Sequence, residues 1–295
     1  MKTIKLPHIY VEKSKNNKFD GYIGFGANEN KKLQLNGYLD LNLNNILNKG
    51  EETVLPWRSD GNKQTTFDFR TELPYILKSP IAVNFNINLF KQDSTYQTTS
   101  LNYNLKYYYN YNTKFGIGYK SNTSTYTEKQ TYNATNYTAK FLTLIFNKRI
   151  IDNSENIFKY KAQFNIITGI GKRTSEESSK QTFLEVNSNY LSKLSNRSYL
   201  YFKNQIYYLK SDACLANELF RIGGATTLRG FNENSLQGNT IVNLLTEYRY
   251  VINNSLYSIT DIASIKDSVE LTNDNLYAIG IGFGLINKNT PVNIN

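Results

Sequence analysis

The chain has 295 residues, a formal net charge of +10, 24 tyrosines and 16 phenylalanines, yet only 40% hydrophobic residues, with a mean hydropathy of -0.51. No run approaches the roughly 18–20 consecutive apolar residues of a transmembrane helix, which excludes a helical membrane protein but not one that crosses with strands of about 9–11 alternating residues. A single cysteine, Cys214, excludes internal disulfides and cysteine metal clusters, and a single histidine, His8, leaves Ser-His triads and histidine-metal sites without material.

Alternation with a period of two governs the chain from residue 19 onward. In 33–43, Leu33, Leu35, Leu39, Leu41 and Leu43 take one face against Gln34, Asn36, Asp40 and Asn42. In 66–73, Phe67, Phe69 and Leu73 oppose Asp68, Arg70 and Glu72, and in 81–89 Ile81, Val83, Phe85, Ile87 and Leu89 oppose Asn84, Asn86 and Asn88. The pattern predicts strands over 19–28, 31–44, 50–57, 64–74, 80–91, 95–109, 113–121, 134–149, 157–172, 180–192 and 196–210. A loop over 211–238 follows, then strands over 239–251, 254–264 and 274–286 and a stub at 290–295. Pro56 weakens the third strand because it removes a ladder donor. Long polar connections (122–133, 173–179, 211–238) follow odd strands and short ones (110–112, 193–195, 252–253) follow even strands. That asymmetry, the strand number and the absence of any helical stretch favour an antiparallel transmembrane β-barrel over a soluble sandwich. Odd strands then run outward. The lysines are scattered through turns and alternate strand positions rather than clustered, so the positive charge fits a lumen and loops facing anionic lipid, and no nucleic-acid partner is expected.

The most informative segment is 220–231, Phe-Arg-Ile-Gly-Gly-Ala-Thr-Thr-Leu-Arg-Gly-Phe. Its Leu228-Arg229-Gly230-Phe231 core, preceded by the Gly223-Gly224 pair, resembles the signature loop of the BamA/TamA-like outer-membrane assembly barrels (the bacterial surface antigen barrel domain). The resemblance extends to Thr246-Glu247-Tyr248-Arg249, to Thr260-Asp261-Ile262-Ala263, where Ile259 and Ala263 replace the family's aromatic and glycine, and to Ile279-Gly280-Ile281-Gly282-Phe283-Gly284. It implies an all-β barrel of the sixteen-stranded type with the loop after the eleventh strand, where the strand reading also puts it. It further implies that the loop folds inward and that Arg229 meets carboxylates on the wall. Parity agrees. Val242, Leu244, Tyr248 and Tyr250 share one face and Asn243, Glu247 and Arg249 the other, so Glu247 points inward and, with Asp261, is a candidate partner. Tyr277, Ile279, Ile281 and Phe283 face lipid, while Ala278, Gly280, Gly282 and Gly284 clear space for the loop.

What the resemblance implies for function is a bacterial outer-membrane protein with no catalytic residue, cofactor or metal. It would insert or assemble other outer-membrane proteins, with membrane lipids, unfolded clients and accessory lipoproteins as partners. The alternatives are a polypeptide secretion pore of the two-partner type and a plain porin. Residues 1–18 lack the apolar core of a signal peptide and read as a linker before a barrel over 19–295. Residues 290–295 read as a fifteenth strand cut short.

Overall fold

The computed structural model describes residues 17–27, 33–60, 64–92, 95–126, 134–152, 158, 160–251, 255–267, 272–287 and 290–294; the side chains of 26–27, 33–34, 60, 255–263, 267, 283–287 and 290–294 fall outside that description. The expected linker therefore lies almost wholly outside the described residues.

Eleven strands follow one another: β1 (Lys18–Ala27), β2 (Leu33–Asn44), β3 (Glu52–Asp60), β4 (Gln64–Leu73), β5 (Ile81–Gln92), β6 (Tyr96–Asn110), β7 (Thr113–Tyr126), β8 (Tyr137–Ile151), β9 (Tyr160–Thr174), β10 (Ser179–Lys193) and β11 (Ser198–Lys210). Two three-residue strands, β12 (Phe220–Ile222) and β13 (Leu236–Gly238), form a separate ribbon. The main sheet resumes with β14 (Thr240–Val251), β15 (Ser255–Asp267), β16 (Thr272–Asn287) and β17 (Thr290–Ile294). Its fifteen strands are antiparallel neighbours in sequence order, with β11 beside β14. β1 and β17 stand at its two ends, and no pairing between them occurs among the described residues. Helix among the described residues is limited to 3-10 turns at Ile76–Lys78 and Ala216–Glu218.

The expected strands are all present, with differences that have physical causes. β3 runs to Asp60 rather than stopping at 57, because Pro56 is tolerated by losing only part of one ladder. Pairing with β4 skips Leu55 and Pro56, between Val54↔Arg70 and Trp57↔Phe67, while β2 still pairs across them. β7 continues five residues past its expected end. The connection asymmetry is strong only from β7 onward. In the first third, β2–β3 and β4–β5 are joined by seven-residue turns held by left-handed Asn45, Asn48, Tyr75 and Leu77.

Two faces result. The outer one is apolar: Phe19, Ile23 and Phe25 on β1, Leu142 and Leu144 on β8, and Tyr277, Ile279 and Ile281 on β16 are exposed, Ile279 at 88%. Leu35 and Tyr248 belong to the same set, as expected. A surface this apolar is unfavourable in water and suits hydrocarbon. The inner face encloses a cavity of about 920 Å³ lined by polar residues of β3 to β11, among them Asp68, Arg70, Asn86 and Asn104. Two parallel chains of amides cross this wall. Asn102 Nδ2 donates to Asn86 Oδ1 (2.7 Å) and Asn86 Nδ2 to Asp68 Oδ1 (2.6 Å), while Asn104 Nδ2 donates to Asn84 Oδ1 (2.8 Å) and Asn84 Nδ2 to the Thr71 carbonyl (3.1 Å). At the short-turn end Glu72 holds Lys106 (2.7 Å) and Lys114 (2.5 Å). The asparagine alternation read in 81–89 is thus the inner wall itself.

Candidate functional site: the inward loop

The segment between β11 and β14 does not extend away from the sheet; it crosses the interior. Its root begins where Ser211 and Asp212 meet Ser179 of β10. The 3-10 turn then places Asn217 against the opposite strands: its Nδ2 donates to Ser124 Oγ (2.8 Å) and to the Thr135 carbonyl (2.9 Å), and its carbonyl accepts from the Tyr137 hydroxyl (3.2 Å). Arg221 donates to the Tyr96 hydroxyl, and its guanidinium lies 5.0 Å from the Phe90 ring. One short segment therefore ties β11 to β5, β6, β7, β8 and β10.

An ion pair sits inside this root. Arg173 Nη1 of β9 lies 2.7 Å from Glu218 Oε1, and both side chains are 4% exposed. The same guanidinium nitrogen donates to the Ala213 carbonyl (2.8 Å), and Gln181 Nε2 donates to Glu218 Oε2 (2.9 Å). Burial pushes the Glu218 carboxyl above the ordinary range, overriding the hydrogen bond from Gln181 and the attraction of Arg173.

The tip hangs from the β12–β13 ribbon and needs three glycines. Gly223, Gly224 and Gly230 take φ of 117°, 96° and 84°, where other residues are strained. A Cβ on Gly223 would sit 2.2 Å from the Asn232 carbonyl. The freed Gly224 N–H donates to the Leu228 and Phe231 carbonyls (3.1 and 3.0 Å), closing the turn. Leu228 is fully buried with Ile222, Ile241 and Ile265, and Phe231 packs against that cluster. Thr227 is fixed to the wall through its carbonyl, which accepts from Asn243 Nδ2 (3.0 Å), itself bonded to Gln205 (2.9 Å).

This packing delivers Arg229 to the wall. Its Nη1 lies 2.6 Å from Glu247 Oε1, with the two side chains 9% and 8% exposed. Arg249, two residues along β14 and so on the same face, binds the other carboxylate oxygen through Nε (2.7 Å) and Nη2 (2.6 Å). Its guanidinium also stacks 4.0 Å above the Tyr201 ring. Glu247 is thus clamped between two guanidinium groups. Charge-assisted bonds to both oxygens offset the cost of its burial.

Of the site residues expected from sequence, Gly223, Gly224, Leu228, Arg229, Gly230, Phe231 and Glu247 converge here. Gly280 lines the space beside Gly230 and Phe231, and a Cβ on Gly230 would touch that of Ala278 at 3.6 Å, so the small inward face of β16 lies against the loop. Gly282 is buried, and Gly284 pairs with Ser255 in the sheet. The Asp261 side chain lies outside the described residues. Sequence reasoning gave Arg249 no contact, although its parity with Glu247 carried the signal, and missed the Arg173–Glu218 pair. Ile241 points inward despite being apolar, because it packs against Ile222 and Leu228 of the loop, and Leu245 on the same face is buried as well.

Among the described residues no group of three or more His, Cys, Asp or Glu could hold a metal ion. The arrangement is a brace, able to hold a loop across an interior and to seal one end of it.

No protein-family model and no curated protein sequence matches the chain. Solved structures do. BamA from Haemophilus ducreyi lacking POTRA domains 1–3 superimposes with a TM-score of 0.62 at 15% identity, covering 92% of this chain and 64% of that one. CdiB from Acinetobacter baumannii gives 0.58 at 14%, covering 91% and 60%. CdiB from Escherichia coli gives 0.58 at 13%, covering 90% and 55%. The chain spans 55–64% of the length of these structures. Its fold is that of the BamA and CdiB outer-membrane barrels.

Proposed function

We propose that this chain is a bacterial outer-membrane β-barrel of the BamA/TamA-like superfamily that inserts and assembles other outer-membrane proteins without catalysing a covalent reaction. The observation that carries the reading is the inward loop locked by Arg229 on Glu247, on a sheet with the fold of BamA. The apolar outer face supports membrane embedding. The first and last strands supply a seam at which a client strand can be templated by β-augmentation, and the braced loop keeps the wall opposite that seam rigid. Unfolded outer-membrane proteins are the clients, membrane lipids the solvent, and accessory lipoproteins further partners.

A second reading, a secretion pore passing one polypeptide, is favoured by the amide-lined cavity of about 920 Å³ beneath the loop. Two measurements separate the readings. Liposomes containing the chain should accelerate the folding of an added unfolded barrel protein, and Arg229→Ala should abolish the acceleration. In planar bilayers the parent chain should lack a large steady conductance. A parent that leaves client folding unchanged while conducting steadily would overturn assembly in favour of a pore.

A further inference from the structure

The outer face carries a feature that the brace does not use. At the end of β8, β9 and β10 nearest the loop root, Lys140 stands directly opposite Lys172, and Lys172 directly opposite Lys180. Lys210 pairs with Thr182 on β11's side and so lies diagonal to Lys180. All four are exposed. Adjacent strands are about 4.7–4.9 Å apart, so three ammonium stems leave the sheet within roughly 10 Å. Like charges directly opposite one another destabilise a sheet. Among the described residues no carboxylate forms an ion pair with any of the four, and the adjacent Glu176 and Glu177 are exposed in the β9–β10 turn.

Two residues along the same strands the surface turns apolar. Leu142 lies beside Lys140 and Ile170 beside Lys172, both exposed and directly opposite each other. They flank a trough of about 710 Å³ that continues over Tyr119, Leu144 and Thr168. Basic groups capping an apolar groove at the edge of a hydrocarbon-facing band match an amphiphile with an anionic head.

We infer that Lys140, Lys172 and Lys180, with Lys210 beside them, seat an anionic lipid whose headgroup carries two phosphates, one of its chains lying in the trough beneath. Two phosphates follow from charge count, since a monoanionic headgroup leaves most of the row uncompensated. The inference rests on the membrane reading above and specifies which lipid the outer face holds.

The test uses the full chain folded in a zwitterionic detergent. Binding of diphosphoryl lipid A, phosphatidylglycerol, phosphatidylcholine and inorganic pyrophosphate is followed by native mass spectrometry, and melting is recorded with and without each. At about 1 kcal/mol per lysine, Lys172→Gln should weaken the diphosphoryl lipid about fivefold and the triple Lys140→Gln, Lys172→Gln, Lys180→Gln on the order of a hundredfold. Without lipid the triple variant should melt at or above the parent's temperature, because repulsion is relieved; a structural role for the lysines would lower it instead. Equal affinity of parent and triple variant for the diphosphoryl lipid overturns the site. So does equal binding of phosphatidylcholine by the parent, or protection by pyrophosphate as strong as that by lipid. If the parent folds and stays dispersed without detergent, the membrane reading fails instead.

Discussion

The loop is held at two places by buried arginine–carboxylate pairs, and the two are built differently. At the root, Glu218 has one guanidinium, the Gln181 amide and the Leu215 backbone N–H (2.8 Å), and burial still raises its carboxyl. At the tip, Glu247 has a guanidinium on each oxygen. Equal burial therefore does not mean equal contribution. An ion pair stabilises only when bonds to the remaining lone pairs outweigh the loss of water. The tip meets that condition with two cations, whereas the root leans on hydrophobic packing around Tyr137, Phe141 and Phe183. The tip behaves as a lock and the root as a hinge pin held by its surroundings.

Substitution at each place sharpens or breaks this contrast. Glu247→Gln should be the most damaging, since it leaves two guanidinium groups facing an amide; unfolding in detergent followed by intrinsic fluorescence should show a loss of about 3–5 kcal/mol. Arg229→Ala should cost less, about 1.5–3 kcal/mol, because Arg249 remains on Glu247. Proteolysis of the chain should then cut within 223–235 before any strand. Equal losses for the two variants would mean that Arg249 does not share the carboxylate. Gly230→Ala should cost roughly 1 kcal/mol, through its φ of 84° rather than through crowding, since the added methyl meets only Ala278.

Glu218→Gln should differ from all of these in that its effect should depend on pH. With the folded carboxyl raised above its unfolded value, the folded state binds the proton more tightly. The ionised form carries a penalty that is full above the folded pKa and vanishes below the unfolded one. Acidification through that window should therefore move the stability difference in favour of the parent over Glu218→Gln. A shift in the opposite direction would show that Arg173 outweighs burial and that root and tip are alike.

Much of this was legible in the sequence, because a strand's period of two assigns faces residue by residue. It put Glu247 inward, Tyr248 outward, and the loop after the eleventh strand. It went astray wherever the inner face is covered by chain rather than by water. Ile241 breaks the polar-inward pattern for the sake of Ile222 and Leu228, which come from the loop itself. The Arg173–Glu218 pair joins residues 45 apart through a 3-10 turn with no periodic signature. Arg249 was misjudged differently: its face was read correctly, but a cation two residues from a carboxylate was not counted as competing for it.

The asparagine wall has a consequence for traffic through the interior. In both of its chains every amide passes its proton the same way, from β6 toward β4; one row ends on the Thr71 carbonyl and the other on Asp68, whose charge Arg70 balances at 3.0 Å. A polypeptide resting there would meet a surface that neither repels acidic stretches nor retains basic ones, and that ordinary salt leaves unaltered. Sensitivity to ionic strength would fall on the ion pairs set among these rows, Asp68 with Arg70, Lys120 with Glu185, and Glu72 with Lys106 and Lys114. The interior thus sets neutral amide rows among paired charges.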